Sequence, residues 1–216
     1  MRGLRVGVPA GALDPARLAP GVHRAVARAV EQLAGAGASV RELAVPGLET
    51  VPGAQFAIVC SEAASVHDRE ARRDRATYGE DVQALLALGD LVAAKDYVAA
   101  QRHRQALWAR VEPVLGQVDV LVMPTTPDQA ERRDVDAVTW PDGAQEALLD
   151  ACIRFLLPWN FLGLPALSLP CGVEDGLPVG LQLVARPGQD GDLLRLGVEL
   201  EQAFGWTFPA PLEAAA

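Results

Sequence analysis

Cysteine and histidine are scarce in this chain of 216 residues, which has three of each. The cysteines, Cys60, Cys152 and Cys171, are odd in number and widely spaced, so they form neither a disulfide framework nor a Cys-x-x-Cys zinc motif. We therefore expect no metal site and no cofactor. Free cysteine is among the most buried residue types, so we expect the three thiols to be buried.

Long apolar runs and an excess of positive charge are also lacking. No apolar run approaches the ~18 residues needed to span a membrane, and residues 1–9 lack the apolar region of a signal peptide. The net charge of −9 disfavours a protein that binds the phosphate backbone, and of 19 basic residues only Lys95 is a lysine. These features predict a cytoplasmic protein that binds neither membranes nor nucleic acid.

Hydrophobic residues make up 50% of the chain, which favours a packed domain, and the pattern along it predicts an α/β fold. Leu4–Val8 has the pattern of a short buried strand, Val22–Leu33 that of an amphipathic helix, and Ser39–Leu43 that of a second strand. A strand, a helix and a strand in this order predict two parallel strands joined by a right-handed crossover.

The middle of the chain is predicted to be mostly helical. Residues 55–115 should form about three helices, divided at Gly79 and Gly89. The β-branched run Val118–Met123 predicts a central strand. The polar segment 125–143 is predicted to be a loop, and 144–157 a helix that ends at Pro158.

The last part of the chain predicts two strands and a helix. Ala166–Leu169 and Val179–Val184 should be strands joined by a turn over Gly172–Gly176. Asp190 and Asp192 are candidate N-cap residues for a helix with an apolar face. We find no internal repeat or linker, so residues 1–216 are interpreted as one domain.

Two neighbouring segments carry a specific motif. Residues 160–172 have the sequence NFLGLPALSLPCG, and residues 176–184 have the sequence GLPVGLQLV. A strand–turn–strand unit does not by itself require this order of Asn, Gly, Pro and Gln. The motif closely resembles one of the amidase-signature family, and the resemblance extends in order and spacing from about Leu4 to Phe204.

The resemblance implies a particular part of that family's fold. The chain corresponds to the C-terminal half of the amidase-signature domain, with half of a mixed, mostly parallel sheet flanked by helices. The motif residues include no nucleophile or base, and we interpret them as scaffold: glycines relax the backbone beside a strand, prolines bracket the strand, and the asparagine fixes a turn. They are Asn160, Gly163, Pro165, Pro170, Gly172, Gly180 and Gln182.

The resemblance also implies that the catalytic residues are elsewhere. Family members cleave amide bonds with a serine nucleophile, a second serine and a lysine base, all in the half that would precede Met1. None of the four serines here (Ser39, Ser61, Ser65 and Ser168) lies in a Gly/Ser-rich run. Lys95-Asp96 matches the family's catalytic dipeptide, but its neighbours match a later helix. We therefore expect no catalytic residue in this chain and no activity from it alone.

One substrate contact is implied. Arg104 matches a helix arginine that meets the substrate carboxylate in the family's glutamine-using amidotransferases; the alternative is an ordinary surface arginine beside Arg102. Those enzymes have an acid and a threonine where this chain has Ile153 and Leu156. The substitutions disfavour amidotransferase activity and favour a small amide substrate.

Two further interpretations remain open. The chain is either one part of a split amidase completed by a separate N-terminal half, or a non-catalytic remnant that binds a small molecule or a partner. Cutting the family's sheet in two leaves a strand edge with unpaired backbone groups. We therefore expect a homodimer or a complex with a complementary half.

Overall fold

A strand–helix–strand unit begins the fold of the computed structural model, which describes residues 1–205. The strands β1 (Arg5–Pro9) and β2 (Ser39–Leu43) are parallel, and α1 (Pro20–Gly35) crosses between them. Proline is favoured in the first turn of a helix because the N–H that it lacks would have no partner there. The predicted parallel pair is confirmed, with boundaries within two residues.

Three helices follow, as predicted, but one of the two predicted breaks is wrong. The helices are α2 (Val51–Arg73), α3 (Glu80–Leu91) and α4 (Ala94–Leu115). Gly79 lies directly before α3, whereas Gly89 lies inside it. Any side chain at Gly89 would overlap the backbone carbonyl of Cys60 on α2. This glycine therefore permits a close contact between two helices and does not end one.

The segment after the central strand β3 (Val120–Pro124) differs most from the prediction. Its loop contains a small hairpin of β4 (Ala137–Thr139) and β5 (Gln145–Ala147). The predicted helix 144–157 is instead α5 (Leu148–Ile153), and a separate helix α6 (Leu157–Leu162) follows. Pro158 lies in the first turn of α6, so it begins a helix where we predicted that it would end one.

The C-terminal hairpin and helix match the prediction in type. The strands are β6 (Ala166–Glu174) and β7 (Leu177–Val184), and the helix is α7 (Asp190–Phe204). The turn is shorter than predicted and consists of Asp175 and Gly176, both with positive φ. Gln189 is the N-cap of α7, so the prediction that Asp190 or Asp192 caps this helix is wrong.

The sheet is mixed, as predicted, and its strand order is β2-β1-β3-β7-β6. The pairings of β1 with β2 and β3 are parallel, while β7 pairs antiparallel with β3 and β6. Parallel and antiparallel pairings are therefore equal in number, and the parallel share is smaller than predicted. The reason is that β6 and β7 form a hairpin, which can only be antiparallel.

Helices cover both faces of this sheet. On one face α1 and α7 bury an apolar cluster that includes Val22, Val122, Leu181, Leu183 and Leu193. On the other face α2, α4 and α6 bury a second cluster that includes Leu107, Leu121, Met123, Trp159 and Phe161. The second cluster places the ends of β1 and β3 beside the start of α2 and beside α6.

The three cysteines differ in how far they are buried. Cys60 is buried as predicted and Cys171 is half-buried, where burial raises the pKa of its thiol to about 12. Cys152 is exposed, so the prediction that it is buried is wrong.

No helix within residues 1–205 is both long enough and apolar enough to cross a bilayer.

Candidate functional site

A cleft of about 540 Å³ opens at the carboxyl ends of β1 and β3. Ligand sites of open α/β sheets occur at this edge, and clefts of this size are typical of small-molecule sites. Most of its walls come from four places: residues 9–12 at the end of β1, residues 48–52 at the start of α2, Met123 of β3, and residues 153–159 between α5 and α6. Glu146 and Asp150 complete the lining.

One guanidinium dominates the polar end of the cleft. Arg154 donates a hydrogen bond from Nη2 to the backbone carbonyl of Arg17 at 2.9 Å, and its Nη1 lies 3.6 Å from Oε2 of Glu146. Its guanidinium lies over the rings of Trp140 and Phe155, at 5.0 and 5.4 Å from their centroids. Burial lowers the pKa of this group, and its Nε is buried without a partner in residues 1–205.

The β4–β5 hairpin holds this arginine in place. Trp140 is buried with Val138 against Ala151 of α5, and its indole N–H donates to Oε2 of Glu146 at 2.7 Å. The same carboxylate oxygen therefore accepts from the indole and faces Arg154. This cluster was not predicted, because Trp140 lies in a segment without periodicity.

Gln182 connects the sheet to the cleft. It is the one fully buried polar side chain among residues 1–205, and its Nε2 donates to the backbone carbonyl of Phe155 at 2.8 Å. Phe155 lines the cleft. The motif glutamine thus fixes the backbone of the segment between α5 and α6.

Three more motif residues shape the end of α6. Gly163 has a φ of 67° and follows the last residue of α6; its N–H donates to Asn160, and the N–H of Leu164 donates to Trp159. These two bonds form the capping motif that favours glycine at this position. Asn160 lies inside α6 and not in a turn. Pro165 accepts a backbone hydrogen bond from Ala185 at 3.0 Å.

The other motif residues lie in the β6–β7 hairpin. A bulge separates Pro170 from Gly172 in β6. At Gly180 a Cβ would lie 2.7 Å from Oγ1 of Thr125, so glycine leaves room for the hydroxyl pair of Thr125 and Ser168, whose oxygens are 2.6 Å apart. At Gly172 a Cβ would lie 3.3 Å from that of Ala25 on α1.

Arg104 does not line the cleft. It is half-buried on α4, and its Nη2 lies 3.1 Å from the place that a Cβ at Gly163 would occupy. No carboxylate within residues 1–205 forms an ion pair with it. Arg104 and the cleft therefore lie at opposite ends of α6.

No nucleophile with a base is assembled in the described part of the chain. The hydroxyl of Ser61 donates to the carbonyl of Ala57 at 2.6 Å, and Ser168 is paired with Thr125. Lys95 is exposed at the start of α4. Residues 1–205 also bring together no group of three His, Cys, Asp or Glu side chains that could hold a metal ion.

One hydroxyl–imidazole pair joins residues that are far apart in the sequence. Oγ1 of Thr50 lies 2.8 Å from Nε2 of His103, but the same hydroxyl donates to the carbonyl of Gly47 at 2.6 Å. With its proton engaged by a carbonyl, the hydroxyl accepts from His103. This pair fixes the start of α2 against α4 and is not the arrangement of a nucleophile and its base.

Comparison with known proteins gives consistent matches. The family model "Amidase" matches residues 1–194. An amidase from Pseudomonas putida is 41% identical over 207 residues, which are 95% of this chain and 44% of that protein. A glutamyl-tRNA(Gln) amidotransferase chain from Symbiobacterium thermophilum is 32% identical over 222 residues, 91% of this chain and 44% of that protein.

A solved structure agrees with these matches. A crystal structure of an amidase superposes with a TM-score of 0.85 and 34% identity, over 94% of this chain and 46% of that one. The chain therefore spans less than half the length of the relatives that it matches.

Proposed function

The chain belongs to the amidase family, and we propose that residues 1–216 are one domain, the C-terminal half of an amidase that hydrolyses the C–N bond of a small carboxamide. The observation that carries this proposal is how much of each chain the match covers. The match to an amidase structure takes in 94% of this chain but 46% of the other. The motif in residues 160–184 resembles one from the later half of the family's sequence.

The proposal assigns the chemistry to residues outside this chain. Amide hydrolysis by a serine enzyme requires a nucleophile, a base within hydrogen-bond reach and donors aimed at the developing oxyanion. The serines of residues 1–205 hydrogen-bond to no lysine or histidine, and Lys95 is a solvent-exposed helix residue. Alone, the chain should be inactive.

This half would supply one wall of the substrate pocket and the scaffold behind it. Gln182 fixes Phe155 in the cleft, Gly163 ends α6, and Gly180 admits the Thr125–Ser168 pair. We assign a scaffold role to these residues and to Asn160, Pro165, Pro170 and Gly172.

Arg104 is proposed as a substrate contact. Its guanidinium has no carboxylate partner within residues 1–205, so its donors remain available for an oxygen of the substrate. The position is near the C-terminal end of α6 and outside the cleft. A substrate that reached both would pass along α6.

The favoured substrate is a small amide and not glutamine. Ile153, which stands where the glutamine-using amidotransferases carry an acid, lines the cleft with an apolar side chain. A carboxylate that could pair with an α-amino group is thus absent from that position. Relatives of this chain include amidotransferase subunits, so the choice between the two substrates is open to experiment.

The proposed activity requires a half that this sequence does not contain, supplied either by the same polypeptide or by a second one. One side of β6 has no strand partner among residues 1–205, and its residues Ala166, Ser168 and Val173 are exposed. An unpaired edge and an uncovered face are suited to pairing with another chain. The proposal therefore favours a split or completed amidase over a non-catalytic remnant.

Reconstitution tests the proposed function. The chain alone is assayed against a panel of primary amides and esters, where no turnover is expected. It is then joined to residues that precede the matched part of the Pseudomonas putida amidase, or co-expressed with the product of the neighbouring reading frame if that carries a Gly/Ser-rich tract with a lysine. Turnover is expected only after this addition.

Matched variants locate the roles. In the reconstituted enzyme, Ala at any of the four serines of this chain should leave turnover intact. Arg104→Ala should lower kcat/KM by about tenfold or more, as loss of a charge-assisted hydrogen bond does, while Arg102→Ala on the same helix should not. Turnover by the chain alone, abolished by Ala at one of its serines, would show that the nucleophile is here after all.

A further inference from the structure

We infer that the cleft between β1, α2 and the α5–α6 segment is selective for uncharged ligands and excludes carboxylates, so that the substrates are neutral amides with an aryl or branched alkyl group. That such ligands are substrates rests on the proposed function. The selectivity itself is a property of residues 1–205 and can be measured without catalysis.

The floor of the cleft offers apolar side chains. Val51, Met123 and Trp159 lie there, and all three are almost completely buried in the protein. The indole N–H of Trp159 is already used, because it donates to the sulfur of Met123 at 3.3 Å. A ligand group that reaches this floor therefore gains by being apolar.

Arg154, the one cation among the described residues that line the cleft, is already engaged by the protein. Nη2 of Arg154 is engaged by the carbonyl of Arg17, and Nη1 faces Glu146. Nε is buried without a partner, so no ligand reaches it from the cleft. A carboxylate binds arginine best through two parallel N–H bonds. Because the protein already engages Arg154, this residue is a poor anion-binding site.

The remaining charges at the cleft are negative. Besides Glu146, which faces Arg154, the walls include Glu49 and Asp150, both exposed, and neither forms an ion pair within residues 1–205. An anionic ligand would enter against two uncompensated carboxylates. Repulsion of this kind acts over several ångströms and weakens as salt is added.

The volume sets the size of the ligand. An apolar cavity of ~150 Å³ is enough for a benzene ring, and this cleft of about 540 Å³ accommodates a ring together with an amide and further substituents. The apolar floor, the engaged Arg154 and the two acidic residues of the walls thus favour the same class of ligand. It is an amide whose other end is apolar and uncharged.

The test measures binding by the chain itself. Benzamide and terephthalamate, which differ by one carboxylate, are titrated at low salt and followed by ligand-observed NMR and by tryptophan fluorescence. Benzamide should bind in the millimolar range, and terephthalamate at least about fivefold more weakly. The difference between the two affinities should decrease at high salt. Equal affinities, or no binding of benzamide, would overturn the inference.

Two pairs of variants place the effect in the cleft. Ile153→Trp fills the cleft and should abolish benzamide binding, whereas Leu149→Trp, at an exposed position of the same helix α5, should not. If Ile153→Trp fails to fold, Leu48→Trp fills the cleft from the other wall. Unchanged binding in a folded cleft-filling variant would overturn the inference.

The second pair removes charge. Glu49→Gln with Asp150→Asn should bring terephthalamate to the affinity of benzamide, while the exposed α7 pair Asp190→Asn with Glu199→Gln, an equal change of net charge, should not. An equal rise in terephthalamate affinity in both double variants would show a general effect of net charge. That outcome would reject the role of Glu49 and Asp150. Selective binding without reconstituted turnover would reject the proposed function alone; turnover without selectivity would reject this inference alone.

Discussion

The side-chain amide of Gln182 donates a hydrogen bond to the backbone carbonyl of Phe155, 27 residues earlier in the chain, across 2.8 Å. Gln182 is 3% exposed and lies in β7 between strands β3 and β6. A residue of the central sheet therefore sets the position of one wall of the cleft, and a motif without any reactive group still bears on what the cleft can bind.

Replacing this glutamine with leucine should cost about 1–3 kcal/mol of unfolding free energy, since the Phe155 carbonyl would lose its partner in a partly buried environment. Chemical denaturation measures the change. Gln105→Leu, on an exposed position of α4, is the control and should stay within about ±0.5 kcal/mol. Equal effects of the two substitutions would mean that the bond contributes nothing specific.

Two glycine substitutions should change the free energy of unfolding in opposite directions. Gly180→Ala places a methyl group against Thr125 and Ser168 and should destabilise the fold by about 1–3 kcal/mol. Gly53→Ala, in an α2 position where a Cβ meets nothing within 4 Å, should stabilise it by up to about 1 kcal/mol. Thermal melts of both variants decide the matter. A neutral Gly180→Ala would show that the hydroxyl pair moves aside freely.

Glu174 predicts a dependence of stability on pH. Hydrogen bonds from Arg24, at 2.7 Å, and from Arg28 lower the pKa of this carboxyl below its ordinary value of 4.5, against an opposing effect of desolvation. A carboxyl with a lowered folded-state pKa stabilises the fold above the ordinary value, and this contribution is lost as pH falls through the folded-state pKa. Glu174→Gln should therefore lower the Tm at pH 7 and lose this effect in strong acid.

The exposed glutamate Glu199 on α7 provides the comparison for that experiment. Glu199→Gln should leave the Tm nearly unchanged across the same pH range. A Glu174→Gln variant whose Tm deficit persisted at pH 2 would contradict the assignment of the effect to the ion pairs.

Lys95→Ala should be nearly silent in stability. The side chain is exposed and forms no ion pair within residues 1–205, and such substitutions usually change unfolding free energy by less than about 0.5 kcal/mol. Its activity after reconstitution should equal that of the parent chain. A Tm loss of many degrees, or loss of turnover, would return Lys95 to the candidates for a functional role.

Association is the fifth expectation. Apolar side chains of α2 and α3 remain exposed, among them Val66 at 73% and Leu91 at 80%, and one edge of β6 has no partner among the described residues. The purified chain should form dimers or larger species, or a complex with the completing half. Light scattering coupled to size exclusion measures this. A monodisperse monomer at tens of micromolar with a sharp melt would show an independent domain.

Elements with strong local patterns could be predicted from the sequence. The run Val120–Pro124 is apolar throughout because its strand is buried on both faces, and Ser39–Leu43 was placed correctly at both ends. The family motif could be recognised because its glycines and prolines follow backbone demands, such as the positive φ at Gly163. These signals are local, and they survive without knowledge of the fold.

The rest depends on contacts between distant segments. Strands β4 and β5 have three residues each and exist because Trp140 packs against α5. Pro158 starts a helix because Trp159 and Phe161 are buried against the sheet, which no local rule reveals. The cleft has walls from residues 9–12, 48–52 and 153–159, so nothing in any one segment indicates it.

The unequal environments of the three thiols have a practical consequence. Cys60 is buried, and Cys171 has a pKa of about 12, so neither supplies the thiolate that alkylating reagents attack near neutral pH. Cys152 is exposed on α5 and faces the segment 126–133, away from the lining of the cleft. A maleimide dye added to the unmodified chain would thus attach at this one position of α5 and leave the cleft free for ligand.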